Sequence, residues 1–223
     1  MLNYRILFFG KFNDKYSRKF LKILKKNFKY VKVIWNLKRN KKIKINLKID
    51  YIFCFRSHFI LNKKIISKAK IHAINFHPGP PAYRGIGCVN FSLLNNEKKY
   101  GATVHLINEK IDNGKILLVS KFKILKNDDI LSLLRRTYNV QLKQLRFVIK
   151  SIKLYGGQLD FLAKKNKVKW SKKLYTRNEL NKLYHVNNKI SKKKVETLLR
   201  ATVTEHFKPF VKIGNAKFFY ENN

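Results

Sequence analysis

The sequence predicts an α/β fold: a Rossmann-like, mostly parallel sheet with flanking helices, followed by a small C-terminal region of helices and a β-hairpin. Three observations carry this expectation. Short apolar runs recur at residues 4–9, 50–55 and 72–76, and near-continuous apolar runs mark strands buried on both faces. Helical patterns lie between such runs, and strands that alternate with helices pair in parallel through crossovers. Beyond Gly156-Gly157 the pattern changes to short helical stretches. The expected division is therefore 1–157 for the main domain and 158–223 for the appended region.

In chain order, residues 4–9 form a first strand that ends at Gly10. Tyr16, Phe20, Leu21, Ile23 and Leu24 then recur on one helical face. Residues 30–35 alternate as a second strand, and 36–48 form a lysine-rich connection without a clear period. Residues 50–55 are a third strand, 61–69 a short helix and 72–76 a fourth strand. The G-x-G-x-x-G fingerprint is missing after the first strand, where Gly10-Lys11-Phe12-Asn13 stands instead, so a dinucleotide is not expected. Three of the four prolines fall between Pro78 and Pro81. With Gly79, Gly85 and Gly87 they specify a stiff loop of defined path. Residues 89–94 read as helix, and 101–107 with 116–122 as partnered strands. Asp128 or Asp129 caps a long amphipathic helix over 130–154, closed by Gly156-Gly157. The tail holds helical patterns at 178–184 and 192–199, then strand-like runs at 210–213 and 216–220 joined by Gly214-Asn215, a hairpin signal. Phe210, Val211, Phe218 and Phe219 of that hairpin can serve a homodimer contact, but packing on their own domain is the expected use.

The chain has 223 residues, 45% of them apolar and 13% aromatic, enough to fill the core of one domain plus an appendage. No apolar run approaches the roughly 18 residues of a membrane span. The apolar start is interrupted by Gly10, Lys11 and Asp14, too early for a signal peptide. Cys54 and Cys88 stand in apolar context without metal-ligand spacing, which suits a reduced, cytoplasmic location. The formal charge is +39, from 51 basic and 12 acidic residues. Such an excess ordinarily points to nucleic acid or an anionic surface. Here it is mostly lysine and runs from end to end, as genome composition alone would produce. An acidic small molecule therefore ranks above a nucleic-acid partner.

Asn75 and His77 alternate at a strand end, so their side chains share a face. Ligands of open α/β sheets bind at the carboxyl ends of the strands, and the stiff loop follows directly. Asp112 lies in a turn between two strands and can close onto the same spot. An amide, an imidazole and a carboxylate are the groups that acyl transfer to an amine requires: an oxyanion donor, a proton carrier near neutral pH and an orienting base. Taken singly each has a plainer use, as a backbone-bonded strand end, a structural loop residue and a turn former. A metal site of His72, His77 and Asp112 is disfavoured, because His72 and His77 have opposite strand parity; no metal is expected.

Asn75-Phe76-His77-Pro78, the loop from Pro80 to Gly85, Gly101-Ala102-Thr103-Val104-His105 and Ile111-Asp112-Asn113-Gly114 occur in that order. Together they resemble the formyltransferase family that uses 10-formyltetrahydrofolate, with a match from about residue 50 to residue 122. The resemblance implies that Asn75, His77 and Asp112 are catalytic. In it the free amine attacks the formyl carbon, Asn75 and His77 stabilise the oxyanion, and Asp112 assists proton transfer. It also implies that His58, Phe59, Ile60 and Leu61 contact the folate, and that Ile111 walls the pterin. His105 matches a family strand histidine with a structural role. Two departures stand out. The stretch before Asn75 is short for the family, and the C-terminal region is too small for the barrel that methionyl-tRNA formyltransferases append.

The loop Pro80-Pro81-Ala82-Tyr83-Arg84-Gly85-Ile86-Gly87-Cys88-Val89-Asn90-Phe91 and the segment Leu174-Tyr175-Thr176-Arg177-Asn178-Glu179-Leu180 are similar to the nucleotide-sugar branch. This implies an anionic acceptor, an amino-deoxysugar on a nucleoside diphosphate, with Tyr83 and Arg84 as substrate contacts. The alternatives are a methionyl-tRNA formyltransferase-like enzyme that uses its lysines to hold tRNA, and a non-enzymatic, basic nucleic-acid-binding protein on the same scaffold. For residues 175–180 the plainer use is a helix cap at Thr176.

Overall fold

The computed structural model describes residues 1–36, 45–187 and 189–221, so most of the lysine-rich connection falls outside the described residues. β1 (Leu2–Lys11), α1 (Lys15–Asn27), β2 (Phe28–Asn36), β3 (Ile49–Phe55), α2 (Lys63–Ile66) and β4 (Ala69–His77) open the chain. β5 (Arg84–Gly85), α3 (Cys88–Leu94), β6 (Lys99–Leu106), β7 (Ile116–Lys123) and α4 (Ile130–Leu154) follow. The chain closes with α5 (Asp160–Lys165), β8 (Leu174–Tyr175), α6 (Arg177–Leu183), α7 (Lys192–Thr202), β9 (Phe210–Ile213) and β10 (Ala216–Phe219). Six strands form one sheet in the order β2-β1-β3-β4-β6-β7. β1 pairs in parallel with β2 and β3, and β3 with β4, whereas β6 runs antiparallel to both β4 and β7.

The parallel strands are apolar on both faces, as strands covered on both sides must be. Phe8, Phe53, Phe55 and Phe76 pack with Phe20 of α1 and with Leu145 and Val148 of α4. Leu7, Phe9, Ile52 and Cys54 face the opposite way, toward Leu61 and Ala73. α1 starts where Asp14 accepts a hydrogen bond from the Ser17 N–H at 2.7 Å. α4 starts at Asp129, in a capping box with Ser132. It ends before Gly156-Gly157, both of positive φ. At Gly157 a Cβ would lie 2.7 Å from the Tyr4 hydroxyl, so only glycine closes this helix against the sheet.

Three expectations shift. The helix expected at 61–69 is a single turn, Lys63–Ile66, because Ala69 already pairs with Ile49 and leaves no room for more. Helix α5 carried no periodic signal in its six residues. The terminal hairpin forms, yet it leaves Phe218 and Phe219 exposed, while Phe210 alone stacks on His185. The region after Gly157 returns to the first: β8 pairs with β5, and the Ser171 N–H donates to the Pro81 carbonyl at 3.0 Å. Among the described residues no helix is long and apolar enough to cross a membrane.

Phe20 is fully buried, stacked on Phe8 and Phe55 at 5.0 and 4.6 Å and edge-on to Phe76 at 5.0 Å. Phe20→Ala is expected to cost about 3–5 kcal/mol, read as a lower urea midpoint at unchanged m-value. A midpoint within error of the parent protein would refute this account of the core.

Candidate active site

The site assembles at the carboxyl end of β4. Asn75 and His77 project from the same face of that strand, and the register places His105 of β6 directly opposite Asn75. The Gln141 side chain of α4 donates to the Phe76 carbonyl at 2.8 Å, holding the residue between them. The proline-rich loop is pinned as well as stiff: the Tyr100 hydroxyl donates to the Pro78 carbonyl at 2.6 Å and Thr103 Oγ1 to the Gly79 carbonyl at 2.7 Å. The turn between β6 and β7 is equally constrained. A Cβ at Gly114 would lie 1.7 Å from the Leu106 carbonyl oxygen, so only glycine lets the turn come this close.

That turn delivers Asp112, in left-handed backbone with φ 42, into the centre of the cluster. One carboxylate oxygen, Oδ2, lies 3.1 Å from His77 Nδ1 and accepts from the Gly85 N–H at 3.0 Å. The other, Oδ1, lies 3.3 Å from His105 Nε2 and 3.4 Å from Asn75 Nδ2. Asn75 Nδ2 is also 3.1 Å from His105 Nε2. His105 Nδ1 meets the Leu106 carbonyl at 2.8 Å and so carries a proton. Its Nε2 stands between the Asn75 carboxamide and the Asp112 carboxylate.

His77 is 2% exposed, and both of its nitrogens face acceptors. Nδ1 meets the Asp112 carboxylate, and Nε2 meets the Tyr83 carbonyl at 2.8 Å. Neither of these two partners can donate, which favours a proton on each nitrogen and the charged form of the ring. Burial alone would lower its pKa, but the Asp112 charge outweighs burial and holds it well above 6.5. Burial likewise acts to raise Asp112, and the His77 charge with the His105 hydrogen bond instead holds it well below 3.8. The sequence suggested a histidine that exchanges protons near neutrality. The geometry instead favours the charged ring, because the nearest partner of each nitrogen is an acceptor.

The other expected residues divide. Leu61 is buried in the core and Phe59 packs edge-on to Phe9 at 5.8 Å, whereas His58 and Ile60 lie at the surface. The turn holding Ile111 is close by: Ile107 packs against the cluster that includes Phe59, and Lys63 reaches Glu109 at 3.6 Å. Ile60 and Ile111 are 60% and 44% exposed. Tyr83 and Arg84 turn inward. The Tyr83 hydroxyl donates to Glu97 at 2.8 Å, and the Arg84 guanidinium donates to three backbone carbonyls. His72 meets Leu159 and Asp160, away from His77, and among the described residues no group of three metal-ligating side chains forms.

Sequence reasoning missed Trp170. Its ring lies edge-on to His77 at 5.5 Å and to His105 at 5.0 Å, and its Nε1–H donates to the Gly114 carbonyl at 2.8 Å. Nothing local marks it, since the contact spans 93 residues of chain from His77 to Trp170. Cys88 Sγ lies 3.6 Å from His77 Nε2, also unforeseen.

The model of the formyl transferase family matches residues 23–149, more than half of the chain, and the chain belongs to that family. A GDP-perosamine N-formyltransferase from Brucella melitensis is 30% identical over 117 residues, covering 52% of this chain and 44% of that protein. The chain spans less than half the length of the curated relatives it matches. A sugar N-formyltransferase structure from Shewanella sp. superposes with a TM-score of 0.76 at 19% identity, covering 98% of this chain and 97% of that one. An N-formyltransferase from Helicobacter canadensis, solved with folinic acid and dTDP-3-aminofucose, gives a TM-score of 0.71 at 22% identity, covering 96% and 86%. At these identities the solved structures establish a shared fold.

The His77–Asp112 pair has a definite pH signature. The Asp112 contribution to stability is present above about pH 3.8 and lost as pH falls through its depressed pKa. The His77 contribution is full below about pH 6.5 and lost as pH rises through its elevated pKa. The stability difference between the parent protein and Asp112→Asn is therefore expected to be widest between these limits and to shrink on both sides. Nitrogen-15 NMR at pH 7 is expected to find both His77 nitrogens protonated; a neutral ring there would remove the cation from the site.

Proposed function

We propose that this chain is an N-formyltransferase that moves a formyl group from 10-formyltetrahydrofolate to the amine of a nucleotide-linked amino-deoxysugar. The carrying observation is the convergence of Asn75, His77 and Asp112, all within 3.4 Å of a neighbour in one cluster. Asn75 supplies an N–H to the oxygen that gains charge as the amine adds to the formyl carbon. Its contact to Asp112 is long, so that hydrogen is readily redirected. The buried His77 cation favours the same negative charge from close by. Asp112 takes up and passes on the proton that the attacking nitrogen loses, while the departing folate nitrogen gains one.

The donor fits residues of this chain. The Ile60 segment and the Ile111 turn are adjacent, and both present apolar side chains to solvent, which suits a flat heteroaromatic ring. The sugar acceptor rests on the resemblance of the proline-rich loop and on relatives of that kind. A surface rich in lysine aids capture of two anionic substrates. Methionyl-tRNA formyltransferases also match part of the chain, and the test below separates the two acceptors.

Incubation with 10-formyltetrahydrofolate and a panel of amino-sugar nucleotides, with charged initiator tRNA alongside, is expected to give turnover of a sugar and little of the tRNA. Turnover of the tRNA alone, weakening steeply with salt, would move the acceptor to nucleic acid. Asp112→Asn is expected to lower kcat about a hundredfold or more; an active variant would exclude Asp112 from the chemistry.

A further inference from the structure

Arg84 is 8% exposed, and its guanidinium binds no carboxylate among the described residues. Its donors go to main-chain carbonyls instead. Nε donates to Asp112 at 2.7 Å, Nη2 to Ile111 at 2.9 Å and Nη1 to Ser171 at 2.9 Å. The next residue, Gly85, gives its N–H to the Asp112 carboxylate at 3.0 Å. Burying a cation against neutral acceptors costs desolvation that no ion pair offsets. The planar fork, by contrast, can reach three carbonyls at once, which a point charge cannot.

What it reaches are the two segments that need holding. Asp112 has left-handed backbone, a conformation that a non-glycine residue keeps only when its surroundings impose it. Ser171 adjoins Trp170, whose ring lies against both histidines. We propose that Arg84 is a positioning residue: it locks the Asp112 turn to the Trp170–Ser171 segment, so that the C-terminal region completes the active site. This rests on the formyl-transfer reading for its kinetic part, and it replaces a substrate-contact role for Arg84.

The test compares Arg84→Lys and Arg84→Ala with the parent protein by kinetics and by nitrogen-15 titration of the histidines. His77 faces Asp112, Cys88, the Tyr83 carbonyl and the Trp170 ring, so a displaced Asp112 lowers the His77 pKa toward its ordinary value. The expected result is a kcat reduced about ten- to hundredfold with little change in either KM, a downward His77 titration, and partial rescue of Arg84→Ala by millimolar guanidinium. An unchanged kcat, an unchanged His77 titration, or a rise in acceptor KM alone would each overturn the proposal. Should both variants fail to fold, Trp170→Phe removes the Gly114 link while leaving Arg84 in place, and it must lower kcat in the same manner. If the parent protein turns over no acceptor, the formyl-transfer reading fails, and the His77 titration still decides the role of Arg84.

Discussion

Asp112 is a carboxylate almost out of reach of water, and it stays ionised only because every direction around it offers a donor. His77 and the Gly85 N–H serve one oxygen, while His105 and Asn75 lie against the other. A buried charge without such partners would take a proton instead. This requirement reaches far into the fold. It needs β4 and β6 in one register, a turn tight enough to exclude any side chain at position 114, and a loop whose path places Gly85 under the carboxylate.

The sheet satisfies these demands by changing direction. Parallel strands β1, β3 and β4 bring their carboxyl ends to one edge, where ligands of such sheets bind. The antiparallel β6 then lays His105 beside Asn75, and its continuation into β7 supplies the turn with Asp112. The same arrangement sets the buried His77 ring against the Asp112 carboxylate, which favours its charged form.

The chain belongs to the formyl transferase family, and its geometry gathers an amide, two imidazoles and a carboxylate at one strand end. The C-terminal region reaches that cluster through contact: Trp170 covers two histidines and Ser171 accepts from Arg84. A boundary drawn by composition at residue 157 separates a change of sequence character, while hydrogen bonds between β5 and β8 cross it.

Much of this was legible without coordinates, and the limits are physical. Apolar runs, caps and glycine pairs act over a few residues, so the four parallel strands, the start and end of α4 and the terminal hairpin could be read directly. Strand parity put Asn75 and His77 on one face for the same reason. Helix α5 escaped because six residues carry too short a period, and α2 shrank because pairing of Ala69 with Ile49 overrode its local pattern. The sequence by itself thus determined which side chains could do chemistry and which face they share. Only the tertiary structure decided the protonation of His77, the inward turn of Arg84 and the place of Trp170, because each depends on partners brought together across the chain and on the exclusion of water between them.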